Sequence, residues 1–550
     1  MRTVTSLSRR LGLLVAAAVA LALAPGAAAQ SELVVQPGNG TLNTAIENDT
    51  ARPADRVYVL QRGAYYGVTR EINNQGYVLR IKAAEGDGNR PVVYPGIDDT
   101  GTPVDSRYFN LANDTYFDGI YFLAVNSQQG ENATSFALNG AAMRFVVDDC
   151  VFQGGHSRLI EINSAETKLL FTNSQFRNLI RNDGSSNGRP IDYRTVTGDS
   201  LVFQNTSFLN VSGYLVRYNG SLLRNVIFEH NTIYVTNHEL MTNSFGTQTL
   251  NFRFTNNLVV NPYGLGQAPE DDPANLRDGV IRFDSLGVPN GFTEADRQLV
   301  IRNNGYMITD DLQAFYDQRT ASGDPLESYA LVDDEVFEYA AANPSAVLRD
   351  NETYDIDFVA PPDLSDYIAW LGKFRDGSKN PGTWTFGQFD ANGNPTDNLF
   401  PATQPPPEDL SYSVSNPAYT AAQGGFPLGD LNYFPPAILA AYEAGGGLAV
   451  SSEDGPAERG FAIRTAYPNP TAGAATVTFD LDAASTVVLD VYDSLGRRVL
   501  TVPSRAVAAG ASQQVAVDAS GLPSGIYLLR MTAEAGGSTR VQTSRLTVVR

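Results

Sequence analysis

An eight-residue pattern of apolar and polar positions recurs through the central part of the chain. The third and eighth positions are mainly Phe, Ile, Val or Tyr. The sixth position is Ile or Cys in the first two copies and Ser, Thr or Asn in the later copies. The copies begin at Thr115, Phe145, Leu169, Leu201, Val226, Phe252 and Leu299, and the first six follow one another at intervals of 24 to 32 residues. Self-similarity at such a short period is typical of repeat architectures.

A second, shorter apolar-x-apolar segment follows most copies. Its apolar or inward positions are Phe136/Leu138, Ile160/Ile162, Ile191/Tyr193, Val216/Tyr218, Met241/Asn243 and Ile281/Phe283. Two strands with turns between them form one coil, and coils stacked at ~4.8 Å bury their apolar side chains in one continuous core. The pattern therefore predicts an all-β fold, a right-handed parallel β-helix over residues 30–315. A β-propeller is the rival, but its blades need four strands in ~40–45 residues.

The sixth position of the pattern predicts polar contacts inside the coils. Asn231, Asn257 and Asn304 occupy it in the last three copies. Because an amide side chain both donates and accepts, we expect these residues to form a short hydrogen-bonded ladder. Cys150 stands in the same column and is expected to be a buried side chain rather than a reactive thiol. As the single cysteine of the chain, it excludes an internal disulfide.

The regions that flank the repeat are less regular. Residues 33–95 carry further strand patterns and are expected to form the first coils and an N-terminal cap. Residues 316–443 are rich in Pro and Gly and are expected to cover or cap the β-helix. They would shield the apolar outward second positions of the repeat, because a large apolar outer face needs cover. Those positions are Tyr116, Val146, Leu170, Val202 and Ile227.

The N-terminus has the features of an export signal. Three arginines precede an apolar run from Leu11 to Ala24, and the small residues Ala27 to Ala29 follow. This order predicts a signal peptide over residues 1–29. The run is shorter than the roughly 20 residues that span a bilayer, so we expect no transmembrane segment in the mature protein. The formal charge of -21 argues against nucleic acid as a partner.

The C-terminal end predicts a separate small β-sandwich over residues 461–550. A linker over residues 444–460, rich in Gly, Ser and Ala, precedes it. The end resembles the type A C-terminal sorting domain of the type IX secretion system in the order of its short motifs. The matching segments are Tyr467-Pro468-Asn469-Pro470, Val491-Tyr492-Asp493, Gly496-Arg497, Gly525-Ile526-Tyr527 and the closing Ser544 to Arg550. The resemblance implies the type IX machinery as a partner, and a location outside the cell or on its outer surface.

The main body resembles secreted pectin-lyase-like proteins of uncharacterised families. The segment Gly425 to Phe434 is similar to an ending found in them, and the resemblance implies a polysaccharide partner. The outward positions of the second strand are polar and mixed in charge, so this face is the expected ligand site. Its two columns are Ala137, Glu161, Asp192, Arg217, Thr242 and Arg282, and Asn139, Asn163, Arg194, Asn219, Ser244 and Asp284.

Two functions remain open. In the first, the protein binds an extracellular polysaccharide without catalysis. Residues Arg194, Arg217, Asn219 and Arg282 would hold the polymer, with the arginines pairing with its carboxylates. In the second, it is a lyase that cleaves an acidic polysaccharide by β-elimination.

The lyase hypothesis needs a cation to neutralise the uronate, and a base. Glu161, Asn163 and Asp192 would bind Ca²⁺ through oxygen atoms, and Lys168 would be the base. A glycoside hydrolase is less well supported. Hydrolases of this fold carry an Arg-Ile-Lys motif after their Asp pairs and Gly-His-Gly motif, but here Arg80-Ile81-Lys82 precedes Asp148-Asp149 and Gly155-His156-Ser157. The few lysines near the polar face favour binding without catalysis.

Overall fold

The structure is a computed structural model that describes most of residues 31–548. The gaps are residues 105–106, 126–133, 182–184, 219–221, 242–248, 266–278, 282–286, 290, 325–329, 344, 379–383, 385–407, 445–460, 468–470, 482, 493–497 and 536–537. The expected signal peptide and nearly all of the expected linker therefore lie outside the described residues. The chain divides into two compact units, Met1–Gly447 and Leu448–Arg550, which we describe separately.

Three parallel sheets build the first unit, and consecutive coils are neighbours in each of them. The first sheet has 11 strands: Glu32–Val35, Val57–Leu60, Leu79–Ala83, Thr115–Asp118, Arg144–Asp148, Thr167–Thr172, Gly198–Gln204, Leu223–Glu229, Thr249–Thr255, Gln298–Arg302 and Val347–Arg349. The second also has 11: Gly38–Asn39, Tyr65–Val68, Val92–Pro95, Tyr121–Leu123, Val151–Gln153, Gln175–Leu179, Ser207–Val211, Thr232–Thr236, Leu258–Val260, Gly305–Met307 and Glu352–Thr353. The third has six: Ile72–Asn73, Phe109–Leu111, Phe136–Leu138, Arg158–Ile162, Arg189–Tyr193 and Val216–Tyr218. The unit is a right-handed parallel β-helix, as the repeat predicts.

Each copy of the eight-residue pattern supplies a strand of the first sheet, a turn and a strand of the second sheet. The turn residue has a positive φ in each copy, for example 51° at Asn173 and 54° at His230. This left-handed conformation suits Asn, Asp and Gly, which explains the composition of the fifth position. The sixth position follows it and points inward. Four of the shorter apolar-x-apolar segments, from Phe136 to Tyr218, lie in the third sheet. The expectation fails for the last two, because Met241 forms only an isolated bridge with Val216 and Ile281 pairs in a separate sheet with Val332.

Stacked aromatic rings fill the interior. Phe171 stacks on Phe203 with ring centroids 5.0 Å apart, and Phe203 lies 5.1 Å from Phe228. From the second sheet, Phe176 stacks on Phe208 at 5.3 Å. All five rings are buried. The expectation that these phenylalanines meet inside the coils is confirmed, and their burial is the main stabilising contribution to the β-helix.

The asparagine ladder is present and is longer than expected. Asn257 Nδ2 donates to Asn304 Oδ1 at 3.1 Å, and Asn231 Nδ2 donates to Asn257 Oδ1 at 2.9 Å. Asn351 extends the ladder beyond Asn304, with 2.8 Å between Asn304 Nδ2 and Asn351 Oδ1. Cys150 continues the column on the other side, and burial raises the pKa of its thiol, which keeps it protonated and unreactive.

Asn351 belongs to a coil that the sequence pattern does not reveal. The strands Val347–Arg349 and Glu352–Thr353 pair in parallel with the preceding coil. The expected end of the β-helix at residue 315 therefore falls one coil short. Two helices, Asp310–Ala321 and Asp334–Ala342, are inserted before this coil, and polar Thr353 takes its eighth position, so the repeat loses both its spacing and its apolar signature.

The remaining elements of the first unit are short. The helices are Thr41–Asn48, Asp310–Ala321, Asp334–Ala342, Ser365–Arg375 and Pro436–Ala444, with 3-10 turns at Glu294–Asp296, Pro417–Thr420 and Leu431–Tyr433. The strands outside the three sheets form two pairs, Gly279–Ile281 with Ala330–Val332 and Phe358–Ala360 with Asp409–Tyr412. Helix Thr41–Asn48 buries Leu42 and Ile46 at the N-terminal end of the β-helix core.

The covering segment, which we define as residues 354–444, packs on the second sheet. Its buried Trp370 and Leu410 join Leu209, Tyr234 and Val260 of that sheet in one apolar cluster. A buried ion pair anchors the segment, with Glu408 accepting from both terminal nitrogens of Arg177 at 2.8 and 2.9 Å. The expectation that this segment covers the first sheet is wrong, because its apolar residues pack on the second.

The covering segment packs on the second sheet because the outer face of that sheet is more hydrophobic than the outer face of the first. The second sheet presents large apolar side chains in coil after coil, such as Leu209, Tyr234 and Val260. The outward positions of the first sheet from Tyr116 to Ile227 remain partly exposed. Polar side chains such as Lys168 and Thr172 stand beside them on the same face. Exposure of the first sheet to water therefore costs less free energy than exposure of the second.

The second unit consists of two antiparallel sheets. One contains Phe461–Tyr467, Ala474–Leu481 and Gly510–Asp518, and the other contains Arg498–Val507, Ser485–Tyr492, Gly525–Ala535 and Ser538–Val548. Alternate residues of both sheets, such as Val477, Leu489 and Leu529, form its apolar core. This arrangement is the small β-sandwich that the alternating pattern predicts.

Candidate functional site: an arginine cluster on the third sheet

The outer face of the third sheet brings together side chains from successive coils. Ala137 pairs with Glu161, Glu161 with Asp192 and Asp192 with Arg217 in the parallel registers. The alternating inward side chains, among them Ile160 and Ile191, belong to the apolar core. Because strand side chains alternate between faces, burial of these isoleucines fixes the polar residues on the outside.

Asp192 is at the centre of the site and is completely buried by the side chains around it. Arg189 donates from Nε to Asp192 Oδ2 at 2.9 Å, and Arg217 Nη1 lies 3.4 Å from the same oxygen. Arg194 Nη1 is a third neighbour at 3.7 Å. One carboxylate is therefore surrounded by three guanidinium groups.

Glu161, on the preceding coil, has a similar environment. Arg158 donates from Nε to Glu161 Oε2 at 2.6 Å, and Arg194 Nε lies 3.8 Å from Glu161 Oε1. Arg194 thus links the two carboxylates across the coils. Four arginines and two carboxylates form this group, which we call the arginine cluster: Arg158, Arg189, Arg194, Arg217, Glu161 and Asp192.

The arginine cluster has more positive than negative charge, although the whole chain carries -21. Burial lowers the pKa of Arg189, the attraction of Asp192 opposes this change, and repulsion from Arg217 and Arg158 adds to it. Three of the arginines reach solvent, since the side chains of Arg158, Arg194 and Arg217 are 30%, 37% and 27% exposed. An anion bound here would relieve the repulsion between them.

The structure brings together only some of the residues singled out in the sequence. Glu161, Asp192, Arg194 and Arg217 lie in the arginine cluster, and half-buried Asn163 directly follows the strand that carries Glu161. Asn219 and Arg282 lie outside the described residues.

Lys168, the proposed lyase base, is placed elsewhere. It belongs to the first sheet, where it pairs in register with Arg144, and its Nζ lies 3.9 Å from Asp199 Oδ2. Because Lys168 lies on the first sheet, its side chain is on a different outer face of the β-helix from the arginine cluster on the third sheet. The structure therefore does not combine Lys168 with Glu161 and Asp192 in one site.

A calcium site is also poorly matched. Among the described residues, no group of three or more His, Cys, Asp or Glu side chains is arranged to hold a metal ion. The two carboxylates proposed as ligands, Glu161 and Asp192, are held by arginines instead. A dication would have to displace those guanidinium groups, so this donor set suits an anion rather than Ca²⁺.

Arg158 and Arg189 were not identified from the sequence. Each stands three residues before the carboxylate that it binds, and the two arginines are register partners on neighbouring strands. The repeated spacing Arg-x-x-Glu and Arg-x-x-Asp was a usable signal. Strict alternation assigns Arg158 and Arg189 to the inward positions together with Ile160 and Ile191, so the outward columns do not contain them.

Towards the N-terminus, the same face carries amide side chains and then the carboxylate of Glu71. Asn73 pairs with Asn110, and Asn110 pairs with Ala137. Asn139 donates to Asn110 Oδ1, and Asn110 donates to Glu71 Oε1. A cavity of about 350 Å³ lies beyond this point, lined by residues that include Glu47, Asp49, Arg52, Glu71, Asn73 and Tyr77.

Comparison with known proteins identifies the second unit. Residues 465–543 match the secretion system C-terminal sorting domain. The protein carries a type IX sorting domain. No curated protein and no solved structure shows significant similarity to the chain. The sorting domain marks the protein for export to the outer cell surface or the medium, as its short motifs indicate. Within the described residues, no helix is long and apolar enough to cross a membrane.

Proposed function

We propose that this exported β-helix protein binds an anionic extracellular polysaccharide, without catalysis, along the outer face of the third sheet. The observation that carries this proposal is the arginine cluster, an excess of guanidinium groups in an otherwise acidic protein. Guanidinium groups bind carboxylate and sulfate oxygens through paired, charge-assisted hydrogen bonds. An exported protein meets such groups mainly on extracellular polymers.

The spacing of the coils supports a linear polymer. Successive strands lie ~4.8 Å apart, which is close to the rise of one sugar residue in an extended polysaccharide chain. The exposed Arg158 and Arg217 stand on the first and third of three consecutive strands, and the exposed Arg194 directly follows the middle strand. Each coil can therefore contact one sugar residue of a chain that runs along the β-helix axis.

A lyase activity has less support. Its proposed base, Lys168, faces away from the arginine cluster and is paired with Asp199. The proposed calcium ligands Glu161 and Asp192 already hold arginines. Arginine itself stays protonated in proteins and would be a poor base for the proton at C5 of a uronate.

The proposal is tested by measuring binding to alginate, polygalacturonate and chondroitin sulfate, with dextran as the uncharged control. We expect at least one polyanion to bind, with an affinity that falls as salt rises. The double variant Arg194→Ala/Arg217→Ala should bind about tenfold or more weakly, because two charge-assisted contacts are lost. The matched control is Arg80→Ala/Arg349→Ala, which removes two arginines from the first sheet.

Two results would contradict the proposal. The first is that no polyanion binds, or that the two double variants lose affinity equally. The second concerns catalysis and is the appearance of ultraviolet absorbance from an unsaturated product during incubation, with or without Ca²⁺. Product that also disappears in Lys168→Ala would establish the lyase alternative.

A further inference from the structure

The charge of the binding face changes along its length. The arginine cluster occupies the strands Arg158–Ile162, Arg189–Tyr193 and Val216–Tyr218. The next strand towards the N-terminus contributes Ala137, which is buried, and the two strands beyond it present the amide groups of Asn110 and Asn73, with Asn139 beside them. Beyond them lies Glu71, which is exposed. The outward column thus runs from the arginines through amide groups to the carboxylate of Glu71.

Glu71 carries an exposed negative charge at this end. Three other charged side chains line the adjacent cavity, Glu47, Asp49 and Arg52. Arg70 binds Glu47, and Asp49 Oδ2 accepts from Arg56 Nε at 2.6 Å and lies 4.0 Å from Arg52 Nε. The partner of Glu71 is the neutral amide of Asn110. The charge of Glu71 therefore acts on whatever occupies this part of the face.

The face is long enough for several sugar residues. Its outward column passes in unbroken register through Asn73, Asn110, Ala137, Glu161, Asp192 and Arg217. Six strands span about 24 Å, so roughly one sugar per strand corresponds to a hexasaccharide. The cavity beyond Asn73, at about 350 Å³, lies within the size range of small-ligand pockets and has room for a terminal sugar.

From this gradient we infer that the face selects a linear glycan that is anionic over the arginine cluster and uncharged over the amides and Glu71. The inference rests on the proposed function and deepens it by defining the class of polymer. A uniformly anionic chain long enough to fill the face would place a carboxylate next to Glu71, where the two charges repel. Uncharged sugar hydroxyls would instead donate to Glu71 and exchange hydrogen bonds with Asn73 and Asn110.

The experiment compares hexasaccharides of galacturonate and of alginate in two forms, with all carboxylates free or with half of them methyl-esterified. Esterification removes charge and leaves the sugar backbone unchanged. In the wild-type protein we expect the half-esterified form to bind at least as tightly as the fully charged form, in spite of its lower charge. In Glu71→Gln, the fully charged hexasaccharide should bind about threefold to tenfold more tightly at low salt, whereas the half-esterified form should change little.

Glu338→Gln is the matched control, because Glu338 is an exposed glutamate on the inserted helix Asp334–Ala342. It should leave the affinity of both forms unchanged. A gain of affinity cannot arise from a misfolded variant, so the main result is protected against that artefact. Tighter binding of the fully charged form by wild type, together with no gain in Glu71→Gln, would overturn the inference while leaving the proposed function intact. Failure of all hexasaccharides and polymers to bind would overturn both.

Discussion

At the scale of the residue, a few buried polar side chains define how the coils align. Asn257 is fully buried, and it accepts from the backbone N–H of Asn231 at 2.9 Å while it donates to the carbonyl of Phe228 at 3.1 Å. A shift of one coil by a single residue would leave these groups unpaired in an apolar interior. The ladder therefore opposes slippage between parallel strands, whose register is otherwise set by the apolar side chains.

The ladder gives a prediction about stability. Asn257→Ala should lower the free energy of unfolding by about 2–4 kcal/mol, because it leaves buried donors and acceptors without partners. Asn251→Ala is the control, since Asn251 lies partly exposed on the preceding strand Thr249–Thr255 and donates to Asn225 Oδ1. It should cost less than about 1 kcal/mol. Thermal or urea unfolding of both variants measures the difference, and equal losses would contradict a special role for the ladder.

The alternation of residues along the strands predicts only part of the arginine cluster. The outward columns placed Glu161, Asp192 and Arg217 side by side, and the register confirms that arrangement. The two carboxylates predicted as calcium ligands are bound by Arg158 and Arg189, which reach them from the start of the same strands. Alternation predicts which face a side chain occupies, but the reach of a long arginine depends on its rotamer.

At the scale of the element, the covering segment docks through buried polar contacts as well as apolar ones. Asp430 begins the turn Leu431–Tyr433 and accepts from Ser207 Oγ of the second sheet at 2.7 Å. Its backbone N–H donates to Thr232 Oγ1 at 2.9 Å, and Asn432 donates to its other oxygen. Burial raises the pKa of Asp430 to about 7, and the bonds from Ser207 and Asn432 only partly oppose this change.

This raised pKa makes the docking of the covering segment depend on pH. The folded protein holds a proton on Asp430 more tightly than the unfolded chain, in which the pKa is near 3.8. Its contribution to stability is complete below about pH 4 and is lost as pH rises towards about 7. Asp430→Asn keeps the shape without the charge, so its melting temperature should gain on wild type between pH 5 and pH 8. Melting curves of both proteins at pH 5 and pH 8 measure this difference. If the melting temperatures of the two proteins shift equally between these pH values, the dependence on Asp430 is refuted.

At the scale of the whole molecule, the two units have separate cores and separate tasks. The β-helix carries the arginine cluster, and the second unit matches the secretion system C-terminal sorting domain over residues 465–543. The division into compact units at Gly447 and Leu448 indicates that each unit can form its core without the other.

Deletion of residues 448–550 should therefore separate folding from export. We expect the shortened protein to retain the melting transition of the β-helix and to accumulate in the periplasm, because the signal for the outer-membrane step is missing. Cell fractionation with antibody detection measures its location. The control attaches residues 448–550 to an unrelated periplasmic reporter, which should then reach the cell surface or medium. Export of the shortened chain would show that the β-helix carries a second signal.

The sequence alone was sufficient for the parallel coils, the inward phenylalanines, the asparagine ladder and the sorting domain. These features depend on local periodicity and on short motifs, which a single sequence displays directly. The extra coil at Val347–Arg349, the docking of the covering segment on the second sheet and the pairing of the carboxylates with arginines appeared only in the tertiary structure. Each of these features depends on which of several surfaces a distant segment or a long side chain contacts. Burial of apolar surface and electrostatic interactions across the whole fold together determine that contact.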